Sequence, residues 1–138
     1  MTAESFARQN ADDRLFAGLA MPPRVVTLDW PAKPLSPNAR THWAAKAKAV
    51  SYARSLAYWT TREVVGPPRK GWTGAKLAIT FCPPDRRRRD DDNAIGAFKA
   101  YRDGIADALG VDDHKFQCSY AFSEPVKGGS VRVEIRPI

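Results

Sequence analysis

The chain is poor in cysteine. Its two thiols, Cys82 and Cys118, lie far apart and show no CxxC spacing. Each sits in an apolar run, so both are expected as reduced, buried thiols of a cytoplasmic protein rather than as ligands or catalysts. Long hydrophobic runs are also missing. No stretch approaches the ~18 apolar residues of a membrane span, so no membrane partner is expected. The first residues carry Glu4, Asp12 and Asp13 and have no apolar h-region, which excludes a signal peptide. Internal repeats and low-complexity tracts are absent as well.

What is present is a basic chain of 138 residues, a length that suits one domain. Its 43% hydrophobic content is enough for a core. Lys and Arg number 22 against 15 Asp and Glu, a net charge of +7, which favours a polyanion such as nucleic acid as partner. The charge is concentrated in Arg86-Arg87-Arg88-Arg89-Asp90-Asp91-Asp92-Asn93. Like charges repel within each half, so folding gains little from this arrangement. A site that holds divalent cations against a phosphate backbone gains much more. Carboxylate oxygens are the preferred Mg²⁺ ligands, and arginine forks match phosphate oxygens. A solvated, self-neutralising turn is the plain alternative.

Residues 1–23 read as an extension in which Phe6, Leu15, Phe16 and Leu19 suggest a short amphipathic helix, and Met21 is a second candidate start. The domain proper is 24–138. Val25–Leu28 reads as a β-branched strand ended by Pro31 and Pro34. Residues 43–65 read as a helix with Ala45, Ala49, Tyr52, Leu56 and Trp59 on its inner face, stopped by Gly66-Pro67-Pro68. Lys76–Cys82 is a second strand. A second helix starts near Asp92, its N-cap, carries Ile95, Phe98, Tyr101, Ile105 and Leu109 inward, and closes at Gly110. Val111–His114 is a turn, and strands follow at 116–122 and 131–136. The order β-α-β-α-β-β predicts a small α/β (α+β) fold, a mixed sheet of about four strands with two main helices. The four tryptophans Trp30, Trp43, Trp59 and Trp72 read as core or edge packing in preference to base-stacking platforms.

Asp90 and Asp92 are two apart, and in extended backbone residues at this spacing face one side. Asp112-Asp113 follows the second helix and could return to the same cleft. Three converging carboxylates would hold one or two Mg²⁺ ions for phosphodiester hydrolysis. A helix cap at Asp92 and a plain turn at Asp112-Asp113 account for the same residues without function.

The body from Val25 to Ile138 resembles the RusA family of Holliday-junction resolvases, endodeoxyribonucleases often encoded by prophages. The matching pieces are Trp30-Pro31, Ser36-Pro37-Asn38, the segment Asp85–Asn93 read as DRRRRDxDN, Lys99 with Asp103, Asp112-Asp113, and Lys127-Gly128-Gly129. The resemblance implies a cytoplasmic homodimer that nicks four-way DNA junctions with Mg²⁺, with Mn²⁺ as an alternative ion. By it, Asp90, Asp92 and Asp113 are metal-binding and catalytic, Lys99 is the catalytic lysine, and Arg86, Arg87, Arg88, Arg89 and Asn93 contact DNA.

The chain departs from the family at one point. The family lysine lies one helical turn after the second aspartate of DxDN, where this chain has Gly96. Lys99 stands seven residues beyond Asp92, roughly 10 Å along a helix axis. Its stem is expected to reach back past the bare Gly96. A surface lysine paired with Asp103 at i+4 is the other reading. His114 reads as a solvent-facing turn residue. The rival functions are a nuclease for branched or flap DNA without junction preference, and a junction-binding protein without catalysis.

Overall fold

The computed structural model describes residues 23–68 and 71–138. The helix expected around Phe6, Leu15, Phe16 and Leu19, and the question of Met21, lie outside the described residues. The strands are β1 (Arg24–Asp29), β2 (Ala75–Cys82), β3 (Phe116–Phe122) and β4 (Ser130–Pro137); the helices are α1 (Trp43–Val65), α2 (Asp91–Ala97) and α3 (Lys99–Leu109). The expected mixed sheet of four strands is present, in the order β1-β4-β2-β3. β4 is antiparallel to both β1 and β2, and β2 pairs in parallel with β3. A parallel pair needs a long crossover, and α2 with α3 supplies it.

The sheet alternates strictly. Leu77, Ile79 and Phe81 are buried and stand opposite Ile135, Val133 and Val131 of β4; Val26 and Leu28 join them from β1. Their intervening neighbours are half-buried or exposed, as expected for a sheet packed on one face. The helices cover the apolar face, where Phe98, Tyr101, Ile105 and Leu109 join the same core.

α1 has the predicted limits, with His42 as its N-cap: the His42 Nδ1 accepts the Ala44 N–H at 3.2 Å. Its inward face is only partly the predicted one, since Ala49 and Leu56 pack against the core. Ala53, Ala57, Thr61 and Val65 are buried, whereas Tyr52 is 65% and Trp59 67% exposed. Trp43 at 76% exposure is likewise on the surface rather than packed, while Trp30 and Trp72 are half-buried against the core. Close approach explains the choice of face. A Cβ at Gly104 of α3 would collide with the Arg54 carbonyl oxygen and stand 2.9 Å from the Ala57 Cβ. Small residues let the two helices touch backbone to backbone, and this outweighs the larger hydrophobes. The Arg54 guanidinium fastens the pair by donating to both Asp107 carboxylate oxygens, at 2.6 and 2.9 Å.

The second helix is divided at Phe98, which was expected in mid-helix. The Phe98 N–H lies 3.1 Å from the Ala94 carbonyl and 3.2 Å from that of Ile95, a tightening from the four- to the three-residue pattern. It turns the Phe98 ring edge-on against Phe81, with centroids 6.2 Å apart. Lys99 is the next residue, so the break sets where its side chain leaves the helix. Gly110 ends α3 with φ 67°, the expected left-handed cap. Cys82 and Cys118 are free thiols but half-buried rather than fully buried; burial still pushes the Cys118 thiol up. Among the described residues no helix is long and apolar enough to cross a membrane.

Candidate functional site

The arginine run leaves β2 after Pro83-Pro84 and is folded around Asp85. One Asp85 carboxylate oxygen accepts the Arg87 N–H at 2.9 Å and the Arg89 Nη2 at 2.6 Å. These bonds, the Arg87 N–H foremost, hold the Asp85 carboxyl below its ordinary range. Arg89 Nη1 donates to the carbonyls of Asp85 and Arg87, at 3.0 and 2.9 Å, and its guanidinium lies 5.5 Å over the Trp30 ring. Arg89 therefore shapes the loop with most of its donors. Arg86 reaches out to Glu124 at 2.9 Å, both side chains well exposed. Arg87 pairs loosely with Asp85 at 3.8 Å. Arg88 is exposed and makes no ion pair among the described residues.

The acids follow directly. Asp90, not Asp92, caps α2: its backbone is extended, and its Oδ1 accepts the Asp92 N–H at 2.9 Å. Any of the three aspartates has the chemistry of a cap. The cap falls on the last extended residue, and the helix begins at Asp91. Asp92 is therefore already helical, so the strand-like alternation expected to aim it beside Asp90 does not apply. Asp91 and Asp92 are exposed in the first turn, where negative charge suits the helix dipole. Asn93 Oδ1 accepts from Asn38 Nδ2 at 2.9 Å, which ties the Ser36–Asn38 loop to α2.

The space over Gly96 is not an open route. A Cβ there would collide with the Pro37 ring, so the Pro37 loop fills the place where the family pattern has a lysine. Lys99 points elsewhere. Its Nζ donates to Asp103 Oδ1 at 2.9 Å and to Asp113 Oδ2 at 3.2 Å. Hydrogen bonds to Asp103, then to Asp113, raise the Lys99 pKa, so the group is an ammonium ion at neutral pH. The i+4 pair with Asp103 exists, the route back past Gly96 does not, and the link to the distant Asp113 was part of neither reading. Arg102 completes the cluster, with Nη2 donating to the Asp113 carbonyl at 2.9 Å and Nε 3.8 Å from its carboxylate. That Nε is buried and has no hydrogen-bond partner.

Asp112 is turned away to His114. Its Oδ1 accepts the His114 N–H at 3.2 Å and stands 2.6 Å from the ring Nδ1. The backbone N–H, then the ring, keep the Asp112 carboxyl low. His114 is exposed, as expected.

Three carboxylates around one ion were expected from Asp90, Asp92 and Asp113. Among the described residues no group of three His, Cys, Asp or Glu side chains stands close enough together to hold a metal ion. Asp90 is occupied in capping and Asp113 is neutralised by two cations. As they stand, these acids do not fit a three-carboxylate ion site.

Between the arginine loop and the Trp30–Ser36 segment lies a cleft of about 320 Å³, bounded on its third side by Asn93, Ala94 and Ala97 of α2. Two residues count for more in the structure than in the sequence reading, one in this cleft and one beside Asp113. Trp30 was read as packing in preference to base stacking, although a tryptophan just before a Pro-rich loop and an arginine run was a usable signal. Arg102 was overlooked, although Lys99, Arg102 and Asp103 are spaced to share one helix face.

No family model matches the chain. An uncharacterized protein of Xylella fastidiosa (strain Temecula1 / ATCC 700964) is 44% identical over 122 residues, covering 82% of this chain and 76% of that protein. At that identity and coverage, the chain belongs to the same family as the Xylella fastidiosa protein.

Proposed function

We propose that the chain is an endodeoxyribonuclease of the RusA type, a cytoplasmic homodimer that resolves four-way DNA junctions by paired phosphodiester cleavage with Mg²⁺. The observation that carries the reading is the meeting of Lys99 with Asp113. The resemblance gives both residues a catalytic role, and their side chains are joined although they are distant in sequence. The arginine loop supports it further. Arg86, Arg87 and Arg88 project from a loop that Arg89 and Asp85 hold in shape, so cations are presented without each having to be ordered by the ligand. Phosphate contacts of this kind position DNA and make binding salt-sensitive.

In this reading Lys99 supplies the positive charge that stabilises the phosphate in the transition state, and Asp103 and Asp113 hold it in place. Arg88 contacts the strand backbone. This reading expects a divalent ion, and the acids as they stand do not gather around one ion position.

A second reading, a junction-binding protein without cleavage, is favoured by the neutralised Asp113 and the separated acids. One assay separates the two. Purified chain is incubated with a synthetic four-way junction, a flap and a plain duplex, with Mg²⁺ and with chelator. Paired nicks in the junction alone, only with Mg²⁺, are expected. Cleavage of the flap equal to that of the junction replaces junction specificity with general branched-DNA cleavage. Junction binding without nicks in any divalent ion rejects the enzyme.

A further inference from the structure

The cleft beside Trp30 has features that phosphate binding does not require. Its walls are more apolar than polar, with Trp30, Pro31, Ala32, Ala94 and Ala97 contributing. A groove that only follows a phosphate backbone needs cations and water. Apolar walls with an aromatic residue instead suit a flat ring taken out of water. Cations outnumber the one carboxylate, Asp90, in the lining: Lys33 and Arg88 are exposed and make no ion pair among the described residues, and Arg89 stands beside them. Ser36 and Asn93 offer polar groups at the same opening.

Trp30 is held, not loose. Its ring lies edge-on to Phe81 with centroids 6.3 Å apart, and Arg89 covers it at 5.5 Å. Arg89 is itself fixed by its bonds to Asp85 and Arg87. A guanidinium held 5.5 Å over a fixed indole makes a rigid wall, and each group can stack on a heteroaromatic ring. The volume of about 320 Å³ is at the small end of ligand pockets.

We infer that this cleft holds one unpaired nucleotide of a DNA strand, with the base stacked in the apolar part and its phosphate at Lys33 and Arg88. The inference rests on the nuclease reading for the identity of the strand, and it assigns the base a site of its own. Single-strand sites combine aromatic platforms with cationic grooves in this way. At a branch point, where pairing is interrupted, such a nucleotide is available at little cost.

The test varies the ligand before the protein. Binding of the full chain is measured by fluorescence anisotropy, at fixed salt, to a labelled octathymidylate and to an octamer of the same charge with every base removed. The base-bearing strand should bind at least about fivefold more tightly, the low end for one stacked base. That preference should be lost in Trp30→Ala and kept in Trp59→Ala, whose ring is an exposed aromatic elsewhere. Ala94→Leu narrows the cleft while keeping the Trp30 ring, and it decides the matter where Trp30→Ala fails to fold. Equal binding of the two strands, or no binding of either, overturns the inference. So does a base preference that survives in folded Ala94→Leu, or one lost in Trp59→Ala. Displacement by free thymidine 5′-monophosphate at lower concentration than by unlabelled octamer overturns the assignment to a strand. The junction assay is independent: cleavage without base preference rejects only the cleft, and base preference without cleavage rejects only the nuclease.

Discussion

Lys99 and Asp113, 14 residues apart in sequence, are joined at 3.2 Å across the end of the α3–β3 connection. Asp113 is held from a second side by Arg102. Whether this cluster does chemistry or only fixes the connection is decided by separating rate from stability. Lys99 is 63% exposed, so its ion pairs are worth about 1 kcal/mol or less to the fold. Lys99→Ala should melt within a few degrees of the parent, about 5 °C. As a transition-state cation its loss should cost about 10²–10³-fold in single-turnover junction cleavage. A rate within about threefold of the parent assigns Lys99 to the surface pair with Asp103.

Asp90 and Asp92 have separable roles because only one caps α2. Asp90→Ala should destabilise the protein by about 1 kcal/mol, the usual worth of such a cap, seen as a lower urea midpoint. Asp92→Asn, which removes only a first-turn charge, should lower that midpoint by less than Asp90→Ala does. It should abolish cleavage while keeping or strengthening junction binding, since a negative charge facing phosphate is removed. A loss of junction binding in folded Asp92→Asn would place Asp92 outside any repulsive contact with DNA.

Gly104 is buried between helices, where a methyl group would meet the Arg54 carbonyl and Ala57. Gly104→Ala should gain helix propensity yet lose more by forcing α1 and α3 apart, a net loss of about 1–3 kcal/mol. Chemical denaturation measures it. An unchanged or raised midpoint would mean that the helices separate without cost.

Tyr101 gives a pH signature. Its ring is 3% exposed and its hydroxyl donates to the Asp29 carbonyl at 2.8 Å. Burial first, then the nearby Asp29 charge, push its pKa up to about 12 from an ordinary 10.0. The folded state thus prefers the neutral phenol. That contribution is complete below pH 10.0, the unfolded value, and is lost as pH rises toward about 12. Unfolding midpoints taken on either side of this window should fall further in the parent than in Tyr101→Phe, which has no proton to lose. Parallel decline of the two proteins would remove Tyr101 as the source.

Much of this architecture was legible because its signals are local. Val25–Leu28 before Pro31 and Lys76–Cys82 before Pro83-Pro84 marked the first two strands, and Gly66-Pro67-Pro68 fixed the end of α1. The inner face of α1 was only partly legible, through Ala49 and Leu56. It depends on Gly104, which lies on another helix, so the larger residues Tyr52 and Trp59 misled. The break at Phe98 was hidden for a similar reason, since it answers to packing on Phe81. At the site, residue types and order were readable, whereas partnerships were not. Pro37 over Gly96, Arg89 over Trp30 and Arg102 on Asp113 are all contacts that sequence spacing does not encode.

The order of the sheet bears on how the protein is made. β4 is the last of the four strands along the chain, yet it lies between β1 and β2. A polypeptide emerging from the ribosome therefore has its first strand without a partner until Ser130–Pro137 has been synthesised. Until then Val26 and Leu28 stay uncovered on one side, and the parallel β2–β3 unit with both candidate clusters has an open edge. Completion of the sheet thus waits for β4, and a ribosome stalled before Ser130 would hold a chain prone to pair with its neighbours.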